Sequence, residues 1–591
     1  MKEDEPLETE VAIDPEMLGK VFERMLDVTE RKSKGAFYTP REIVHYMAQQ
    51  SLLYFLVSQA SSLGISNEDD WKADLETFIH YGEHIIDKDI AVAEGKLKNT
   101  AKNQKIPDSI KQHANAIDKA LEKIKICDPA VGSGAFPVGI MNEIVKLRKL
   151  LTPFMEKESA DERSAYRFKS NAIQNSIYGV DIDAGAVEIA KLRLWLSMVV
   201  DEERIDTIEP LPNLDYKIVQ GNSLINMPDG FLRNGNLEKQ IEELIENYKT
   251  ITDKEIKQKQ KEIIDDKIKQ LLAFASEFAG YDIDFDFKLF FHEVWKEKDG
   301  FDIVIGNPPY ITYKGKQKVE VSQNLIDALI LNYKNSAEYK INSFALFTEL
   351  GTRIFNRIGV LTYIIPSTIL QNKYLKKIRK LLLTKNNIVE IVTFENKVFK
   401  AVTDSLILFV NKELKENEIT LFKRKKDLQF LKEDVVHKFK SSMWKIPPDY
   451  VINTKSNHEE DRIIKKIENQ NKPLGDLLKV YVGIVAHGIK QFLSDKKQDE
   501  NYKKYLQGRH LNNFTINPAK LFVNFDVSKL HSNINENVYL KKEKILVRKT
   551  GNKLIAAYDN SQYFTDQSIY NLYTDNKKNS ISLKYICSLL N

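Results

Sequence analysis

Two stretches of this 591-residue chain share one plan, and that plan restricts the fold more than any other feature. In KIKICDPAVGSGAF, residues 123–136, an apolar run ends in an aspartate, passes a glycine-bearing loop and opens into a helical pattern reaching about Leu150. NSIYGVDIDAGAVEIAKLRLWL, residues 175–196, repeats it, and YKIVQGNSLI, residues 216–225, adds a third short strand ending in a polar turn. Strand, loop and helix in succession place strands side by side in parallel, with helices over both faces. Strand-like runs at 301–305, 359–366, 388–394 and 405–410 and an amphipathic helix at 343–356 extend the series. The expected fold is α/β, with a doubly wound, mainly parallel sheet.

The chain is too long for one core, and composition marks a boundary. Residues 411–591 hold 33 Lys and Arg against 21 Asp and Glu, whereas 1–410 hold 55 against 63. Beyond about 411, short aromatic and β-branched runs with Asn/Gly turns replace the strand–helix alternation. This predicts a separate β-rich α+β module whose basic balance suits a polyanion such as DNA, or equally a solvated lysine surface. The expected organisation is a helical segment at 1–54, a lysine-rich helical insertion at 55–120, and the doubly wound domain at 121–410. That domain has a helical insert at about 230–280, and the basic module follows at 411–591. Two cysteines, Cys127 and Cys587, are too few for a disulfide framework or zinc cluster. The acidic start MKEDEPLETE is no signal peptide, and no apolar run approaches spanning length. A cytoplasmic protein without a metal or membrane partner is expected.

Ligands of open α/β sheets bind beyond the C-terminal strand ends. There Gly132 and Gly134 allow close backbone approach. No Gly-Lys-Ser/Thr follows, so the loop is not a phosphate-binding P-loop. Pro137 stands where a dinucleotide fingerprint needs its third glycine. Asp128 and Asp181 remain, one at each of two successive strand ends, and carboxylates accept hydrogen bonds from ribose hydroxyls or an ammonium group. A ligand carrying both, without phosphate, fits S-adenosylmethionine. In FDIVIGNPPYI, residues 301–311, Phe301, Ile303, Val304 and Ile305 read as a buried strand and Gly306 frees the backbone. Pro308 and Pro309 fix φ and remove two donors. With Asn307 and Tyr310 they suit gripping a flat polar ligand, although an ordinary Pro-rich turn explains the stretch alone as well.

GAFYTP, DPAVGSGAF, YGVDID and GNPPY, in that order, resemble the gamma class of N6-adenine DNA methyltransferases. The likeness is to the type IIG restriction–modification branch, whose C-terminal specificity domain is similar to that of the TaqI methyltransferase, and it covers roughly 14–591. It implies a Rossmann-like S-adenosylmethionine-dependent catalytic domain, a target-recognition domain and double-stranded DNA as partner. Tyr38, Thr39 and Pro40 would border the methionine end of the cofactor. Asp128, Pro129, Ala130, Gly132 and Gly134 would line it, with Phe136 behind the loop. Asp181 would hold the ribose and Ile182 meet the adenine. Asn222 stands where many relatives have an aspartate for the adenine amino group.

By the same resemblance, Asn307 and Pro308 would hold the target amine, Pro309 stiffen the loop and Tyr310 stack on the base. Phe399 in ENKVFKAVTDSLILF, residues 395–409, would stack on its other face. Arg509, Arg548 and Lys549 would contact DNA. The branch carries a nuclease ahead of the methyltransferase and continues beyond SLKYICSLLN, which leaves room for a separate nuclease or specificity subunit. GNPPY also occurs in protein-glutamine and RNA-guanine methyltransferases, and a non-catalytic DNA-binding fragment is the third reading.

Overall fold

The computed structural model describes residues 39–94, 105–155, 163–200, 214–228, 231, 235–251, 253–313, 321–396, 398, 404–413, 419–425, 435–454, 463, 466–467, 470–486, 488–517, 520–551, 553–574 and 582–591. Nine strands among them form one sheet: β1 (Ile126–Asp128), β2 (Ile177–Asp181), β3 (Ile218–Gln220), β4 (Phe301–Gly306), β5 (Phe355–Pro366), β6 (Asn387–Phe394), β7 (Ser405–Asn411), β8 (Ile419–Lys425) and β9 (Val435–Lys440). Their spatial order is β3-β2-β1-β4-β5-β7-β6-β8-β9. Neighbours from β3 to β5 are all parallel, and β7 runs antiparallel to both β5 and β6. The sheet is therefore doubly wound and mixed. Its order reverses between β1 and β4, the switch point where such sheets open a ligand crevice. Asp128 ends one of those strands and Gly306 the other.

Alternation along β4 fixes the two faces. Ile303 and Ile305 point into a core with Ile43, Met47 and Phe55 of helix α1 (Arg41–Ser58), while Val304 joins the opposite core with Leu346 and Leu361. A threonine and proline ahead of the apolar run predict Thr39 as the cap of α1 and Pro40 as its first helical residue; instead Pro40 is the N-cap, and no side chain caps the helix. The Pro40 carbonyl accepts from the Ile43 and Val44 amides at 3.0 and 3.2 Å, and the Thr39 hydroxyl is used elsewhere. Helix α2 (Ala135–Leu151) follows β1, and α3 (Ala184–Val199) follows β2. Between β3 and β4, α4 (Gly235–Thr250) and α5 (Lys254–Ala279) bury Ile241, Ile245, Ile264 and Ile268 together. This pair returns the chain to the end of β3 at residues 281–287.

A buried carboxylate locks α1 to the sheet. Glu390 of β6 accepts from the Tyr46 and Tyr54 hydroxyls of α1, and Lys423 Nζ of β8 lies 2.9 Å away. Burial alone would raise the Glu390 carboxyl, but Lys423 and the two hydroxyls hold it below its usual range. Glu390→Gln leaves Lys423 facing a neutral amide and is expected to cost about 3 kcal/mol in urea unfolding at pH 7. Because the folded pKa is depressed, this stabilisation is present above the unfolded value and fades as pH falls, so the gap should narrow in acid. An unchanged midpoint at pH 7 would mean that the cluster contributes nothing.

The first compact unit ends at Thr454 and the second runs from Lys455 to Asn591. The compositional boundary at 410/411 falls earlier because β8 and β9 extend the large sheet through β6. Likewise α1 runs across the expected 54/55 boundary. In the second unit the strands are β10 (Lys479–Val482), β11 (Leu493–Ser494), β12 (Tyr502–Leu506), β13 (Phe522–Asn524), β14 (Lys544–Arg548), β15 (Ala556–Asp559), β16 (Phe564–Thr565) and β17 (Ile569–Tyr573). Among described residues they form two four-stranded sheets, β10-β17-β14-β15 and β11-β13-β12-β16. A fully buried Lys544–Asp559 pair at 2.7 Å pins β14 to β15.

Candidate functional site

The ends of β1, β2 and β3 are stitched into one rim. Asp128 is 1% exposed. Its Oδ1 accepts from the Ala130 amide at 3.0 Å, while Oδ2 is buried with no hydrogen-bond partner among the described residues. Burial pushes its pKa up to about 8; the Ala130 amide opposes this and the Asp181 carboxylate adds to it. The Gly132 amide, at φ +52°, donates to Asp181 Oδ2 at 2.9 Å, and the Asp183 amide donates to Oδ1 at 2.9 Å. Burial raises Asp181 as well, against those two amides. Buried Arg193 of α3 braces the loop from beneath through the Ser133 carbonyl at 2.8 Å. The Ser223 hydroxyl donates to the Pro129 carbonyl at 2.6 Å, tying in the turn after β3.

The loop after β4 closes on the same point. A Cβ built on Gly306 would sit 2.5 Å from Asp128 Oδ1. Asn307 Nδ2 donates to Thr39 Oγ1 at 3.1 Å, across 268 positions of sequence. Helix α6 (Ser343–Ile354) latches the rest of the loop. The Ser343 hydroxyl donates to the Pro309 carbonyl and accepts from the Ile311 amide at 2.8 Å, and the Ser343 amide donates to the Ile311 carbonyl at 2.9 Å. The Tyr310 hydroxyl donates to the Ile364 carbonyl at 3.0 Å, and its half-buried ring meets Phe344 edge-on at 6.3 Å. Gly306→Ala forces Asp128 off the Ala130 amide; the expected loss is about 1–3 kcal/mol in urea unfolding, and an unchanged midpoint would show that the strand end yields freely.

Asp128, Ala130, Gly132, Asp181, Pro129, Asn307 and Thr39 thus share one rim, and Ile182, 63% exposed, stands beside Asp181 on it. Phe136 is buried in the α1–α2 core, so its ring supports the loop rather than lining the cleft. Asn222 is half-committed: its Oδ1 accepts from the Leu224 amide at 3.1 Å, and its own amide donates to Asp284 Oδ1 at 2.9 Å. Tyr38 and Phe399 lie outside the described residues. Ser343, Ser223, Arg193 and Asp284 escaped the sequence reading. Ser343 opens a helix, Ser223 lies inside GNSL and Arg193 lies on a helix, positions with ordinary local explanations. Asp284 follows an insert, where no pattern pointed to a site.

The rim offers a buried acid, backbone amides and a second carboxylate facing a rigid loop of amide and carbonyl groups. Residues 175–399 match the family described as Eco57I restriction-modification methylase, and residues 503–591 match the TaqI-like C-terminal specificity domain. The chain carries a restriction–modification methylase domain and a specificity domain. It is 26% identical over 680 residues to RM.MjaORFECS2P of Methanocaldococcus jannaschii, whose name describes a type II restriction enzyme and methyltransferase. That alignment covers 98% of this chain and 54% of the relative, so the chain spans about half the relative's length. To the type II restriction enzyme and methyltransferase RM.Eco57I of Escherichia coli it is 26% identical over 307 residues, covering 50% of this chain and 25% of the other. The solved structure of the type IIL restriction-modification enzyme MmeI in complex with DNA shares the fold at TM-score 0.52 and 12% identity, covering 96% of this chain and 66% of MmeI.

In the specificity domain the three basic residues expected to act together lie around one strand start. The Gly508 amide donates to Ser568 Oγ at 2.8 Å, and the Lys549 amide to the Ser568 carbonyl at 2.8 Å. Arg548 pairs in register with Ile569. Arg509 and Lys549 are exposed and Arg548 is half-buried. Lys549 Nζ lies 5.7 Å from the Tyr570 ring centroid. The backbone thus brings three basic residues to one strand start, a composition that suits phosphates or guanine edges.

Proposed function

We propose that the chain is a site-specific DNA methyltransferase that transfers a methyl group from S-adenosylmethionine to N6 of an adenine turned out of double-stranded DNA, within a restriction–modification or phage-defence system. One observation carries the reading: Asp128, Thr39 and Asn307 meet at the switch point, so a ligand rim and a carbonyl-bearing loop share a wall. The residues fit the cofactor. The partnerless buried oxygen of Asp128 suits an ammonium group, Asp181 suits ribose hydroxyls, and exposed Ile182 offers an apolar surface to a base. Tyr38, Thr39 and Pro40 would flank the methionine end. When bound, S-adenosylmethionine supplies an electrophilic methyl group on a sulfonium.

The chain's own residues supply orientation. An exocyclic adenine nitrogen is a poor nucleophile because its lone pair is delocalised into the ring. The Asn307 Oδ1 and the Pro308 carbonyl accept its two N–H bonds, hold it pyramidal and stabilise the positive charge that develops there. Thr39 holds Nδ2 of that amide, which aims Oδ1 away from the helix start. The Ser343 latch and Pro309 restrict the loop, so proximity and alignment do most of the work. Tyr310 and Phe399 would clasp the base; stacking worth about 1–3 kcal/mol per base offsets much of the cost of unstacking it.

The basic patch of the specificity domain favours DNA over protein glutamine or RNA as the acceptor. The test is expression of the full chain in a methylation-free host with single-molecule mapping of modified adenines. In parallel, labelled-methyl transfer by the purified chain to DNA, RNA and protein is measured. N6-methyladenine confined to one short sequence context is expected. Label in RNA or protein alone, or DNA binding without any transfer, overturns the reading in favour of the other substrates or of a fragment that needs a partner chain.

A further inference from the structure

We propose that Asp284, delivered by the segment after the α4–α5 insert, is the carboxylate that accepts the exocyclic amino group of the cofactor's adenine. The assignment rests on the S-adenosylmethionine reading and names a residue for a part of that site that Asn222 fills poorly. The Asn222 carbonyl oxygen is already bonded by the Leu224 amide within its own turn. It is also uncharged, and an ionised acceptor binds an N–H roughly twice as strongly as a neutral one.

Asp284 stands at the same strand end. Its Oδ1 accepts from the Asn222 amide at 2.9 Å, and among the described residues it has no other hydrogen bond and no ion pair. That one bond fixes the direction of an otherwise exposed carboxylate. The backbone around it is pinned. A Cβ on Gly221 would strike Phe285 Cβ at 2.4 Å, so only glycine lets the 284–285 segment lie against this turn. Asp286 Oδ2 accepts from the Met227 amide at 3.3 Å and its Oδ1 from the Leu289 amide at 3.0 Å, closing the segment from the other side. The Gly221 amide donates to the Asp181 carbonyl at 2.9 Å, and Gln220 Nε2 donates to the Ile182 carbonyl at 3.4 Å. A ribose on Asp181 would therefore direct its base over Ile182 toward the end of β3, where Asp284 waits. The insert, by this account, completes the adenine site as well as burying its own apolar face.

The experiment is calorimetric binding of S-adenosylhomocysteine and its 6-oxo counterpart, S-inosylhomocysteine, to the full chain. The 6-oxo ligand presents an acceptor where the amino ligand presents a donor. The wild-type protein should prefer the adenosyl ligand. Asp284→Ala should weaken that ligand by about 10- to 100-fold and the inosyl ligand far less, so the preference collapses. Asp284→Asn, which keeps an acceptor and the bond to the Asn222 amide, should restore part of it, and Asn222→Ala should leave it standing. An equal loss for both ligands, or a preference that survives Asp284→Ala, removes Asp284 from the role while the cofactor reading stands. Failure of the folded wild-type chain to bind either ligand sinks the cofactor reading and this assignment together.

Discussion

Asn307→Ala should lower the single-turnover rate of methyl transfer to DNA by about a thousandfold, the upper range for losing one preorganised dipole at a charged transition state. Binding of S-adenosylhomocysteine should stay within a few fold. The two effects separate because Asn307 reaches the rim through Thr39, whereas its Oδ1 would face the reacting amine. Losing the 3.1 Å bond to Thr39 costs about 1 kcal/mol of stability, too little to unfold the domain. Thr39→Val provides the finer test. It leaves the amide in place but lets it rotate, and imprecise aim of this kind costs about 10- to 100-fold in rate. Turnover surviving in Asn307→Ala within a factor of three would remove the amide from the chemistry; equal losses of turnover and cofactor affinity would make it a structural residue.

What the sequence disclosed tracks how local each cause is. Asp128, Gly132 and Asp181 were readable as neighbours because a strand end followed by a glycine loop constrains residue types over a few positions; in the structure the loop's Ala130 amide bonds Asp128 and its Gly132 amide bonds Asp181. The Thr39–Asn307 contact spans 268 positions and left no periodic trace. The nearest local rule, that a threonine before a helix caps it, pointed the wrong way because a tertiary partner took the hydroxyl. The module boundary was misplaced for a related reason. β8 and β9 extend the sheet outward to its edge, and lysines at 423, 425, 438 and 440 give those strands the texture of the basic module. Charged edges discourage pairing with other chains, so edge strands resemble surface more than core. Asp284 was hidden because the role proposed for it depends on where a 45-residue excursion through α4 and α5 returns, which spacing alone does not encode.

Asp128→Asn is expected to stabilise the ligand-free fold and to weaken cofactor binding, two effects of opposite sign from one atom change. Burial raises the Asp128 pKa from 3.8 to about 8, so between those values the folded chain holds a proton that the unfolded chain has released. Folding then takes up a proton, and wild-type stability falls as pH rises through that window. Asparagine has no proton to hold. The variant's advantage in unfolding free energy should therefore grow from pH 4 to pH 8, level off above that, and reach on the order of a few kcal/mol. Binding responds the other way. An ammonium group needs the ionised carboxylate, so Asp128→Asn should weaken S-adenosylhomocysteine by about 10- to 100-fold. For the wild type, affinity should tighten toward pH 8, and calorimetry near neutrality in buffers of different ionisation enthalpy should register a proton released from the site. A pH-independent stability difference with no proton released would mean that Asp128 is already ionised and compensated in the empty fold. A dry, half-satisfied acid at a strand end lowers stability in the empty chain, and only a cation arriving beside Oδ2 makes its ionised form favourable.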